Sequence, residues 1–140
     1  MALTPRGDVL RTVMDYLERE SRDSVDRRRD LWRSISDKFI RTADGSYTLK
    51  SEAGEAMHTR VGAITEAIEK FVKPTVSGIK DDLRVLDLCS GLGYNTAALL
   101  EFTDASSVTV DMVEISAGTM ATALIVPSPN PAHKIVKGAY

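Results

Sequence analysis

The chain has 140 residues and a mass of 15.3 kDa, with 43% hydrophobic and 27% charged residues, so length and composition give one globular domain plus at most a short extension, not a disordered chain. Eighteen basic and twenty acidic side chains leave a net charge of −2, which excludes a strongly basic packaging protein or an acidic tail. The lone Cys89 excludes an internal disulfide and fits a reducing cytoplasm, and with only two histidines no structural zinc site is expected.

No apolar run approaches the roughly 20 residues of a membrane span, and the first residues carry no apolar core of a secretory signal. The expectation is a cytoplasmic protein without membrane association. Charge is uneven along the chain. Residues 1–40 hold nine basic and eight acidic side chains, residues 41–80 six and five, and residues 81–140 three and seven. Arg27, Arg28, Arg29 and Arg33 form a local basic cluster, read as a solvated helix face in preference to a phosphate contact.

In chain order, Thr4-Pro5 reads as a helix cap with proline at the first helical position, followed by Val9, Leu10, Val13, Met14 and Leu17 on one face. A second helix is predicted from about Val25 to Phe39, with Leu31, Trp32, Ile35 and Phe39 as its apolar stripe. Asp44-Gly45 between two short β-prone runs predicts a hairpin from Phe39 to Leu49. A helix with Val61, Ile64, Ile68 and Phe71 on one face follows, and Lys73-Pro74 is predicted to end it. Residues 84–89 read as a buried strand, residues 90–95 as a turn, and residues 96–102 as a helix. A second strand runs from Val108 to Ile115 with Glu114 near its end. Ser116 can cap a helix through about Leu124. Pro127 to Pro131 is an extended loop, and another helix begins at Ala132.

The strand, glycine turn, helix and second strand form a β-α-β unit of the nucleotide-binding kind. Gly91 and Gly93 allow a sharp turn and close approach of a ligand, because no Cβ intervenes. The start of the helix offers unpaired N–H groups. Glu114, 21 positions after Gly93, is placed to accept hydrogen bonds from two ribose hydroxyls. The dinucleotide pattern G-x-G-x-x-G fails at its third glycine, where Thr96 stands. Asp87 before the turn repels phosphate and suits an ammonium group. S-adenosylmethionine carries an α-ammonium, a sulfonium and a ribose but no phosphate, so the pair Asp87 and Glu114 favours it over NAD. The lesser readings are that Asp87 caps local backbone N–H groups and that Glu114 is an exposed strand-end acid; Tyr94 and Asn95 could equally line the site or only cover the helix start. Cys89 has no identified base and reads as a small packing residue.

Val85-Leu86-Asp87-Leu88-Cys89-Ser90-Gly91-Leu92-Gly93 resembles motif I of class I S-adenosylmethionine-dependent methyltransferases, with Cys89 where the first motif glycine is common. Val113-Glu114-Ile115-Ser116 resembles the ribose-binding end of their second strand. Upstream, Arg41 to Leu49, then Ser51-Glu52, Gly54-Glu55-Ala56-Met57-His58 and the segment through Ala67, is similar to the MnmC-like methyltransferase family. That resemblance covers about Phe39 to Tyr140. It implies a partial Rossmann-like α/β fold, the first β-α-β unit preceded by N-terminal helices and a β-hairpin. It also implies S-adenosylmethionine as cofactor, tRNA as substrate, and methylation of the aminomethyl group of a modified wobble uridine.

The implied cofactor-binding residues are Asp87, Cys89, Ser90, Gly91, Gly93, Tyr94, Asn95, Glu114 and Ile115. Glu55, Met57 and His58 are candidates for substrate or cofactor contact, no metal ligand is implied, and the sequence identifies no catalytic base. Residues 1–38 form a helical extension, 39–80 the hairpin and helix, and 81–140 the first part of the cofactor-binding domain. No FAD-dependent oxidoreductase domain is read in these residues. Because a full methyltransferase sheet has more strands, the expectation is an N-terminal fragment or a shortened member, completed by a missing C-terminal half or by a second copy. A non-catalytic binding module, and less readily an oxidoreductase acting on CH–NH groups, remain as alternatives.

Overall fold

The computed structural model describes residue 9, residues 11–13 and residues 25–140. The predicted cap at Thr4-Pro5 and the positions of Leu10, Met14 and Leu17 lie outside these residues. Val9 and residues 11–13 are helical, and Val9 and Val13 are buried in the common core. Helix α1 spans Val25–Ile35, with Leu31 and Ile35 buried. It is shorter than predicted. A 3-10 turn, Ser36–Lys38, leads directly into strand β1, Phe39–Arg41. The hydroxyls of Ser34 and Ser36 donate to the carbonyls of Leu31 and Arg33, a local alternative to helical pairing. Phe39 therefore enters a strand opposite Leu49 and packs its ring 5.0 Å from Trp32.

Strand β2, Tyr47–Leu49, pairs antiparallel with β1, as the Asp-Gly signal predicts. The turn does more than reverse the chain. Asp44 Oδ1 accepts from the Ser46 N–H and the Thr42 hydroxyl, and Asp44 Oδ2 accepts from the Thr65 N–H at 2.8 Å. Ser46 Oγ accepts from the Ala63 N–H at 2.9 Å. Helix α2, Ala63–Ala67, thus has two of its first-turn donors satisfied from the hairpin, while its own N-cap, Gly62, supplies no side chain. Gly62 has φ 130°, and a Cβ there would lie 2.0 Å from the Asp44 carboxyl carbon. Burial pushes the Asp44 carboxyl up, but the hydrogen bonds from Ser46, Thr65 and Thr42 outweigh it and hold it below the usual aspartate value.

Proline 74 does not end the helical run. A π turn, Ile68–Val72, joins α2 to α3, Lys73–Val76, with Pro74 in the first turn of α3. Pro lacks an N–H and crowds the carbonyl four residues back; a widened turn just before it removes both objections. The extra residue rotates the apolar stripe. Ala63, Ile64, Ala67, Val72 and Val76 are buried, whereas the predicted Phe71, inside the π turn, is 57% exposed; Val61, also 57% exposed, lies before α2 begins.

Strands β3, Asp82–Leu88, and β4, Ser107–Val113, pair in parallel, with Asp82 opposite Ser107 and Leu88 opposite Val113. Helix α4, Tyr94–Phe102, connects them. It is the hub of the packing, touching α2, the π turn, β4 and α6, and accordingly Tyr94, Thr96, Ala97, Ala98 and Leu99 are buried. Helix α5, Ala117–Ile125, is capped by Ser116, whose Oγ accepts from the Thr119 N–H. Helix α6, Pro131–Ala139, is capped by Asn130 and packs on α4. The described residues are mixed α/β, with one two-stranded antiparallel and one two-stranded parallel sheet. The prediction of a buried β3 holds on one face only. Leu83 and Asp87 are buried, while Leu86 and Leu88 are exposed. Among the described residues, no helix is long and apolar enough to cross a membrane.

Candidate functional site

The turn after β3 and the end of β4 lie side by side because the strands are parallel and in register. Ser90 N–H donates to the Val113 carbonyl at 3.0 Å, which locks the turn to β4. The chain reverses through three positive-φ residues, Cys89 at 58°, Gly91 at 56° and Gly93 at 83°. Cys89 is exposed, so it does not pack as the sequence suggests.

Glu114 spans the gap between turn and strand. Its Oε2 accepts from the Gly91 N–H and its Oε1 from the Ser116 N–H, both at 2.9 Å. A carboxylate has about four lone-pair directions, so both oxygens keep acceptor capacity for hydroxyl donors. A Cβ at Gly91 would meet only the Cys89 carbonyl oxygen, at 3.8 Å, and Ile115 beside Glu114 is 98% exposed. This side of the turn is open.

The other side is covered. A Cβ at Gly93 would lie 2.6 Å from Val136 Cγ1. The Tyr140 hydroxyl lies 3.3 Å from both Ser90 Oγ and the Gly91 carbonyl oxygen. His133, fully buried, reaches the Leu92 carbonyl through Nε2 at 2.7 Å and Ser128 Oγ through Nδ1 at 3.1 Å. A carbonyl only accepts, so Nε2 carries the proton and Nδ1 accepts from the Ser128 hydroxyl. Burial lowers the His133 pKa to about 4, keeping this neutral tautomer at physiological pH.

Asp87 faces α4. Thr96 Oγ1 donates to its Oδ2 at 2.7 Å, and Asp87 and Asn95 line one cleft of about 360 Å³ together with Phe71, Thr75 and Leu99. Tyr94 is 2% exposed. Its hydroxyl accepts from the Tyr47 N–H at 3.0 Å, and its ring stacks on His133 at 4.8 Å. Burial raises the Tyr94 pKa, so the phenol stays protonated. His58 meets the Tyr94 ring edge at 6.0 Å, and the Thr48 hydroxyl oxygen accepts from the His58 N–H. Burial lowers the His58 pKa, against the pull of Glu66 and Asp44. Met57 is half-buried against the core. Glu55 is exposed, and its backbone N–H is bound to Ser51 Oγ.

The structure therefore brings Ser90, Gly91, Glu114 and Tyr140 together, and separately Asp87 with Asn95 and His58 with Tyr94. It brings none of these to the Glu55 side chain through a hydrogen bond or ion pair.

The comparisons give a fold. No family model matches the chain. Uncharacterized protein MJ0670 from Methanocaldococcus jannaschii is 44% identical over 100 residues, which are 71% of this chain and 28% of that protein. The chain thus spans under a third of that relative's length. The crystal structure of MnmC2 from Aquifex aeolicus superposes with a TM-score of 0.50 at 23% identity, over 91% of this chain and 50% of that one. The chain has an MnmC-like fold over about half of that neighbour.

Three residues at the turn escape the sequence patterns, namely His133, Tyr140 and Thr96. His133, Val136 and Tyr140 are spaced 3 and 4 apart on one helix face, which predicts burial of that face but not its target. Thr96 enters the sequence reading only as the absent third glycine. Its hydroxyl is in fact the partner of Asp87.

Proposed function

We propose that the chain is the cofactor-binding part of an S-adenosylmethionine-dependent methyltransferase that acts on an amine of a modified tRNA wobble uridine. The observation that carries this reading is the Glu114 carboxylate, bound to the N–H groups of Gly91 and Ser116 beyond the ends of two parallel strands. The fold likeness to MnmC2 supports the methyltransferase class. The three-part division at residues 38 and 80, and a partial Rossmann-like unit over 81–140, belong to the same proposal.

The open side of the turn fits the cofactor. Glu114 would take the ribose hydroxyls, Gly91 would allow close approach, and exposed Ile115 offers an apolar surface to the base. Ser90 and Gly93 shape the turn, and Tyr94 and Asn95 begin its helix. Asp87, held by Thr96, contributes negative potential near an ammonium group. When bound, S-adenosylmethionine supplies an electrophilic methyl group on a sulfonium. The chain's residues then act by positioning, with an amine acceptor needing only to be neutral.

Thr96 in place of a third glycine speaks against an oxidoreductase that uses NAD. A non-catalytic module is the second reading, favoured by α6 and Tyr140 lying against the turn. Methyl transfer to undermodified tRNA separates it from the first.

Calorimetric titration with S-adenosylmethionine, with NADH as control, tests the donor site. Binding of S-adenosylmethionine alone is expected. Glu114→Ala is expected to weaken it by about 1–3 kcal/mol through lost charged hydrogen bonds. An unchanged dissociation constant in a variant that melts cooperatively would remove Glu114 from the site.

A further inference from the structure

A second cleft, of about 500 Å³, lies between α1, the loop after α5, and α6. Ser128, half-buried between Pro127 and Pro129, lines it. Its hydroxyl donates to His133 Nδ1 at 3.1 Å, so the oxygen keeps its lone pairs. Helix capping does not account for this bond, because Asn130 already caps α6 and accepts the His133 N–H at 2.9 Å.

The imidazole is held in one orientation. Nε2 donates to the Leu92 carbonyl at 2.7 Å, and the ring stacks on Tyr94 at 4.8 Å. The unprotonated Nδ1 is thereby presented to Ser128. A hydroxyl, a base within hydrogen-bond reach and a third group that orients the base are the parts of an activated nucleophile. Here a backbone carbonyl stands where a carboxylate often does. Lys134 and Lys137 line the same cleft, and no carboxylate among the described residues does. Burial, with Arg28 and Lys134 nearby, lowers the Lys137 pKa to about 8, and the amine stays mostly protonated at neutral pH. Such cations favour a negatively charged substrate and the oxyanion that forms on attack.

We propose that Ser128 and His133 form a nucleophile–base pair that accepts an acyl group from an ester bearing an anionic group. Ser128 Oγ attacks the ester carbonyl carbon while its proton passes to His133 Nδ1. The tetrahedral adduct expels the alcohol or phenol oxygen, which takes that proton, and Ser128 is left acylated. Water, giving a proton to the same nitrogen, then attacks the acylated serine, releases the acid and restores the hydroxyl. With a phenyl ester the first step outpaces the second, because a phenolate leaves more readily than the serine oxygen, so acylated Ser128 accumulates. The inference does not depend on the function proposed above.

The test is incubation of the full 140-residue chain with 4-acetoxybenzenesulfonate, followed by intact mass and peptide mapping. A single acetyl group, on Ser128, is expected, with a matching burst of phenol release. Ser128 lies in a loop, so Ser128→Ala should melt as the wild type does and lose the burst. His133→Asn, where it still melts cooperatively, should slow acylation about a hundredfold or more. Should it not fold, Ser128→Ala and the mapped adduct decide the matter. Lys134 is exposed, and Lys134→Gln should slow the anionic ester about threefold relative to neutral 4-nitrophenyl acetate. An unmodified wild-type chain overturns the proposal, as does acetylation confined to Lys137 or another residue. Equal acylation rates in the wild type and a folded His133→Asn overturn it too, and an unchanged ester ratio in Lys134→Gln overturns the anionic substrate class.

Discussion

Cys89 stands in the left-handed region with φ 58°, the one non-glycine described residue with positive φ. A side chain there costs roughly 1–2 kcal/mol, because the Cβ crowds the following carbonyl. The chain accepts that cost because the turn must start immediately after β3 for the Ser90 N–H to reach the Val113 carbonyl. The motif comparison marks this position as one where glycine is common, and the dihedral angle gives the reason. Cys89→Gly is therefore expected to stabilise the chain by about 1 kcal/mol, somewhat offset by the greater freedom of glycine in the unfolded state. The side chain is exposed, so little packing is lost. Urea unfolding measures the difference, and a midpoint equal to or below the wild type would dismiss strain at this residue.

At the scale of elements, α6 is tied to the glycine turn by a buried neutral histidine. The folded-state pKa of His133 is about 4, below its ordinary value of 6.5. The unfolded chain therefore binds more protons between those values, and stability falls as pH drops from 6.5 toward 4 and is complete above 6.5. The burial of His58 acts in the same direction, so the informative quantity is the difference between wild type and His133→Asn. The variant should be less stable at pH 7, because the Leu92 carbonyl and Ser128 hydroxyl lose their partner. It should also lose part of the slope between pH 6.5 and 4. Thermal melts at a series of pH values check this, and parallel curves for the two proteins would sink the assignment. A helix from Ala132 is expected from the sequence, and the structure starts it at Pro131 with Asn130, assigned to the loop, as its cap. Its docking onto Leu92 is not legible there, because periodicity reports which face is buried but not against what. The same limit applies at Pro74, where a local rule ends the helix and a π turn carries it through.

For the whole molecule, local signals locate the hairpin, the β-α-β unit and the cap at Ser116, and a hydrogen bond joins the Gly91 N–H to Glu114, while Asp87 is held apart by Thr96. The sheet's exposure was not legible, since an apolar run such as residues 85–89 does not say how many of its faces are covered. Leu86 is 59% exposed, Leu88 62% and Val113 49%, with Leu88 opposite Val113 on the ladder. Adjacent exposed apolar side chains on an open parallel pair form an adhesive surface. The chain in solution is expected to bind an environment-sensitive apolar dye in its native state, and its weight-average mass is expected to rise with concentration above 15.3 kDa. Replacing Leu86, Leu88 and Val113 by threonine keeps strand propensity while removing apolar area. The triple variant should lose most of the dye signal and sediment at a constant mass, with little change in its melting temperature because these side chains contribute little burial. A wild-type chain that binds no dye and shows no mass increase would mean that the uncovered face is too small or too well hydrated to drive association.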